Sequence, residues 1–115
     1  MRPGLLRPNE FELAVLKRLR GPLWDSEMAP EQLHVLSRTF TGVGSFTNFS
    51  CAKPEPDAPR EHRILTAPIL MPGVRTGLGA VLHLRAGQPE CLEIFTFGDE
   101  HWDGTYEGFV IEATE

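Results

Sequence analysis

Cysteine is scarce in this chain of 115 residues, which has only Cys51 and Cys91. Two cysteines cannot form a disulfide framework, and without Cys-x-x-Cys or Cys–His spacing they do not describe a zinc site. Long apolar runs are also missing. No stretch approaches the ~20 consecutive apolar residues of a membrane-spanning helix. Arg2 and Arg7 imitate the charged start of a secretory leader, but Glu10, Glu12 and Lys17 interrupt the apolar stretch behind them. The expectation is a reduced, cytoplasmic protein with no membrane segment.

Positive charge is in short supply. Lys and Arg number 11 against 16 Asp and Glu, a formal net charge of −5. Nucleic-acid binding draws its affinity from neutralised phosphates and needs a basic stripe. The densest basic cluster, Lys17-Arg18-Leu19-Arg20, falls instead in the last turn of a helix-patterned segment, where cations complement the helix dipole. No nucleic-acid partner is expected, and an acidic surface suits a more basic protein better. Catalytic signatures are missing as well: no Gly-x-Ser-x-Gly elbow and no Gly-rich loop followed by Lys and Ser or Thr.

What is present describes one domain over residues 1–115. An apolar share of 41% in a chain this long supports a real core. Asn9 is a good N-cap and Glu12 stands three residues later, as in a capping box. Phe11, Ala14, Val15 and Leu19 then recur at helical spacing, broadened by Leu16, until Gly21-Pro22 stops the helix. Pro30 can open a second short turn ending near Leu33, with Trp24 and Met28 packing the corner between.

From His34 onward the pattern changes to strands: 35–41, 44–51, 62–70, 79–85, 91–97 and a last one near 105–113, with a proline-rich exposed loop at 52–61. Pro68 confines its strand to an edge or a bulge. Whether 35–51 is two strands or one bent strand is open, so the fold expected is α+β: one or two N-terminal helices packed on an antiparallel sheet of about five strands. Pairing Arg85 with Cys91 across Ala86–Glu90 sets Leu84 opposite Leu92 and Leu82 opposite Ile94 on the helix side. Val81, His83 and Arg85 then oppose Phe95, Glu93 and Cys91 on the other face.

Three constellations could carry function. In "TFTGVGSFT" the glycines match no phosphate loop, so they have a mechanical role. If the segment is extended, Phe40, Gly42, Gly44 and Phe46 share one face and leave a notch between two rings; if not, Gly42-Val43 is a tight turn. "GDEHWDG" offers Asp99, Glu100, His101 and Asp103 as oxygen and imidazole donors but lacks the spacing of a calcium loop, so no metal is expected, and Trp102 folds back onto the sheet. His83 opposite Glu93 resembles an oriented base without a nucleophile. The cysteines read as inert thiols.

Read together, Ser37–Ser50 and Leu92–Trp102 resemble a group of small uncharacterised bacterial proteins. Their first motif is roughly Ser/Thr-Arg-Glu-aromatic-Thr-Gly-Val-Gly-Phe-Phe-Thr, and their second Leu-Glu-Gly-aromatic-Thr-aromatic-Gly-acidic-Glu-x-Trp-Pro. The resemblance covers about residues 37–50 and 78–102 and implies a shared fold rather than an activity. This chain departs from the pattern at Thr39, Ser45, Ile94 and Asp103.

The favoured reading is a cytoplasmic, non-enzymatic protein-binding module, an inhibitor or immunity-type partner of a basic protein, with no catalytic residues, metal or cofactor. Its expected binding residues are Phe40, Gly42, Gly44, Phe46, His83, Glu93 and Trp102. The alternatives are a small hydrolase or a metal- or ligand-dependent enzyme using His83 and Glu93 or the Asp99–Asp103 loop, and a homodimer assembled on an exposed strand or aromatic face.

Overall fold

The computed structural model describes residues 6–20, 29–50, 62–85, 88–98, 100–102, 104 and 106–111. Asn9 caps a helix, α1 (Glu10–Leu19), through a reciprocal box. Its side chain accepts from the Glu12 amide at 2.8 Å, and its own amide donates to Glu12 Oε1 at 2.8 Å. Glu10 and Glu12 in the first turn and Lys17 and Arg18 in the last complement the dipole. The apolar stripe behaves as its spacing requires: Phe11, Val15, Leu16 and Leu19 are buried. The second expected turn forms as one 3₁₀ turn, Pro30–Gln32. Gly21-Pro22, Trp24, Met28, Cys51 and the proline-rich loop lie outside the described residues.

Six strands follow: β1 (Val35–Phe40), β2 (Gly44–Phe49), β3 (His62–Met71), β4 (Val74–Arg85), β5 (Gln88–Thr96) and β6 (Val110–Ile111). They form one antiparallel sheet in the order β1-β2-β5-β4-β3-β6. The fold is therefore α+β as expected, with six strands rather than about five, because 35–51 is two strands; the last expected strand is present as the two-residue β6. That last strand pairs only with Ile69 and Leu70. Pro68 stands opposite Gly79 of β4, one residue past the pairs that β3 makes with β6 among the described residues.

The helix lies against β3, β4 and β6. The face beneath it is a continuous apolar layer: Leu78, Ala80, Leu82 and Leu84 of β4, Leu92 and Ile94 of β5, and Ala67 and Ile69 of β3, all buried. The faces of the β4–β5 hairpin follow the sequence reading, but its register does not. Leu82 pairs with Leu92 and Ala80 with Ile94, two residues away from the expected partners, and His83 pairs with Cys91 rather than Glu93. The cause is a turn shorter than "AGQPE" suggests: Gln88 and Pro89 already belong to β5, and an irregularity between His83 and Leu84 absorbs one residue. A slip of two keeps every side chain on its side of the sheet.

Candidate functional site

Glu12 is a carboxylate in the buried stripe of a helix, 4% exposed, and such a group needs charge and hydrogen-bond partners. The sheet supplies them. Arg38 of β1 grips it with both arms, Nε donating to Oε2 and Nη2 to Oε1, each at 2.7 Å. The Thr47 hydroxyl of β2 donates to Oε2 at 2.9 Å, beside the capping bond from the Asn9 amide. Arg38 and Thr47 can act together because they are direct cross-strand partners. Burial alone would push the Glu12 carboxyl up, but the hydrogen bonds from Arg38, Asn9 and Thr47, with the guanidinium charge, outweigh it and hold the group below the usual carboxylate range. Arg38 also donates through Nη2 to the Arg7 carbonyl at 3.0 Å, tying the chain ahead of α1 to the sheet.

Around this pair stand four rings. Phe40 at the end of β1 meets Trp102 edge-on, with centroids 5.4 Å apart. Phe11 of α1 contacts Trp102 at 5.9 Å and stacks on Tyr106 at 5.9 Å. Trp102 is held by its amide, which donates to the Gly42 carbonyl at 3.0 Å, and the Thr96 amide donates to the Val43 carbonyl at 2.9 Å. The β1–β2 turn thus anchors the loop that carries Trp102. Gly104 gives the Phe40 ring its seat, since the ring occupies the place a Cβ would take. Between these rings, Arg38 and the small side chain of Ser45 lies a cleft of about 160 Å³.

The structure sorts the expected binding residues into two groups. Phe40 and Trp102 meet at the cleft, and Gly42 and Gly44 build the turn beside it. Phe46 does not join them: it pairs with Thr39, whereas Phe40 pairs with Ser45, so the two phenylalanines point to opposite faces. The shared notch of an extended segment is not formed, because the chain reverses at Gly42-Val43, where Gly42 has φ of +88° and the Thr41 amide donates to the Gly44 carbonyl at 2.8 Å. Gly44 serves close approach instead, since an added Cβ would strike the Ile94 carbonyl of β5.

His83 and Glu93 lie on the face away from α1. They are neighbours on β4 and β5, with Nε2 and Oε1 3.4 Å apart and both side chains partly exposed. Cys91, directly across from His83, has its thiol pushed up by burial first and then by Glu93 and Glu90, which favours the protonated, unreactive form. The "GDEHWDG" loop is divided. Glu100 accepts from the Arg75 and Thr76 amides at 3.0 and 2.7 Å and from the Thr76 hydroxyl at 2.7 Å, holding the start of β4; His101 is exposed. Asp99 and Asp103 lie outside the described residues. Among the described residues no group of three or more His, Cys, Asp or Glu side chains is placed to hold a metal.

That outer face has no helix over it among the described residues. Phe46, Ile64 and Phe97 are 40%, 52% and 43% exposed. Phe95 lies over Gly79 and meets Phe97 edge-on at 5.3 Å, and a shallow apolar depression of about 250 Å³ runs between Thr66, Pro68, Val81, Phe95 and Phe97.

Sequence reasoning missed Glu12, Arg38, Thr47, Ser45 and Tyr106 as parts of a site. One signal was there: Glu12 falls inside the apolar stripe, one residue from Phe11 and three from Val15, so it had to find a cation. Ser45 and Ile94 are direct cross-strand partners. No family model, curated protein or solved structure matches this chain. No helix among the described residues is long and apolar enough to cross a membrane.

Proposed function

We propose that this protein is a non-enzymatic binding module of the cytoplasm, and that it docks a more basic protein, as an inhibitor or immunity-type partner does, on the outer face of its sheet. The observation that carries this reading is the outer face itself, uncovered among the described residues, where Phe46, Ile64 and Phe97 stand exposed on a sheet whose other face holds the core. Exposed aromatic and aliphatic groups gathered on one surface are the usual make-up of an interface core. The net charge of −5 selects the partner's sign and speeds encounter with it. Glu93 and the partly exposed His83 supply polar contacts within the apolar field. A hydrolase built on that pair has less support, since the pair lies on an open face and the adjacent Cys91 thiol is held protonated.

The test is capture from an extract of the native host at low and at moderate salt, with wild type beside the double variant F46S/F97S. The reading expects a basic protein retained by wild type, weakened by salt and lost with the variant. Recovery of no partner at either salt, or the same set with both proteins, would contradict it. Sedimentation distinguishes the homodimer: a wild-type dimer that becomes a monomer in F46S/F97S would assign the face to self-assembly instead.

A further inference from the structure

The cleft on the helix side is separate from the docking face and has a different chemistry. We infer that it binds a small single-ring carboxylic acid, the ring lying among Phe40, Trp102 and Tyr106 and the carboxylate meeting Arg38. Size sets the first limit. The cleft, open to solvent on one side, holds about 160 Å³, close to the ~150 Å³ of an engineered cavity that admits benzene, so one ring can be seated in it.

The polar end follows from what Arg38 leaves unused. Its Nε and Nη2 are committed to Glu12 and to the Arg7 carbonyl, while Nη1 has no partner among the described residues. The Ser45 hydroxyl, on the same wall, also makes no hydrogen bond there. Two donors at the edge of an aromatic cleft match the oxygens of a carboxylate. The nearby Glu12 charge is already matched by Arg38 and by the Asn9 and Thr47 donors, which leaves Arg38 Nη1 as the donor for a second carboxylate.

Other ligand classes fit worse. A plain hydrocarbon would make no use of the Arg38 and Ser45 donors that line the cleft. Acetate or phosphate would leave the rings unfilled. The site is independent of the docking face, so the fate of the F46S/F97S variant does not bear on it.

The experiment titrates the intact protein at neutral pH with benzoate, toluene and acetate, read by calorimetry and amide NMR. Benzoate is expected to bind saturably with Kd of about a millimolar, ordinary for so small a ligand. It should shift the Trp102, Ser45 and Thr47 resonances, while toluene and acetate bind at least about tenfold more weakly. Ser45→Leu fills the cleft and is expected to weaken benzoate at least about tenfold in a folded protein. Arg38→Lys keeps a cation for Glu12 but removes the forked donor, and should erase the preference for benzoate over toluene even if Ser45→Leu does not fold. Four results would overturn the proposal: no saturable benzoate shift in wild type, shifts away from the cleft, toluene equal to benzoate, or unchanged affinity in folded Ser45→Leu.

Discussion

Glu12 stands where a carboxylate closes a capping box, and also where a helix buries its apolar stripe. One side chain therefore joins three elements: the start of α1 through Asn9, β1 through Arg38 and β2 through Thr47. Because its folded pKa is depressed, the stability it contributes is present above its unfolded value near 4.5 and is lost as pH falls below that toward the folded value. Glu12→Gln keeps the shape but removes the charge. With Arg38 able to turn partly to water, the expected cost at pH 7 is about 2 kcal/mol. Chemical denaturation of both proteins from pH 7 to pH 3 checks this: the gap should be widest at pH 7 and should shrink below pH 4.5. A gap that stays constant to pH 3 would mean that the Glu12 charge does not stabilise the fold.

At the scale of elements, the β1–β2 hairpin shows why its two glycines are not equivalent. Gly42 needs a positive φ but has open space around it, so Gly42→Ala is expected to cost only about 1 kcal/mol of backbone strain. Gly44 has ordinary φ but faces the Ile94 carbonyl, so Gly44→Ala must push β2 off β5 and should cost at least about 3 kcal/mol. Thermal melts of the two variants test the ranking; equal effects, or a milder Gly44→Ala, would contradict it. The hairpin also marks how far local pattern reaches. The capping box, the Pro30 turn and the inward faces of β4 and β5 were readable because each follows from residues within a few positions of one another. The β4–β5 register was not, because a single irregularity beside His83 moves every pair without changing any face. The Glu12–Arg38 pair, 26 residues apart, depends on which strand edge the helix start reaches, and only the misplaced carboxylate in the stripe pointed to it. Phe46 shows the reverse case: its parity with Phe40 is correct for an extended chain and wrong once the chain turns between them.

Taken whole, the described residues form a sheet whose core lies on one side. The face toward α1 holds the buried core, with Leu65 half-buried and Phe40 exposed at the rim, and the cleft there is lined by Arg38, Thr47 and Trp102. The other face carries aromatic and aliphatic groups in the open, on strands held in place by that core. The two proposals place a small ligand on the side that holds the core and protein recognition on the other. Methyl and aromatic NMR of the protein, before and after addition of the captured basic partner, tests this most directly. The account predicts shifts at Phe46, Ile64, Val81 and Phe97 while Phe11, Val15 and Leu16 stay in place; shifts confined to α1 and the cleft, with the outer face unmoved, would contradict it.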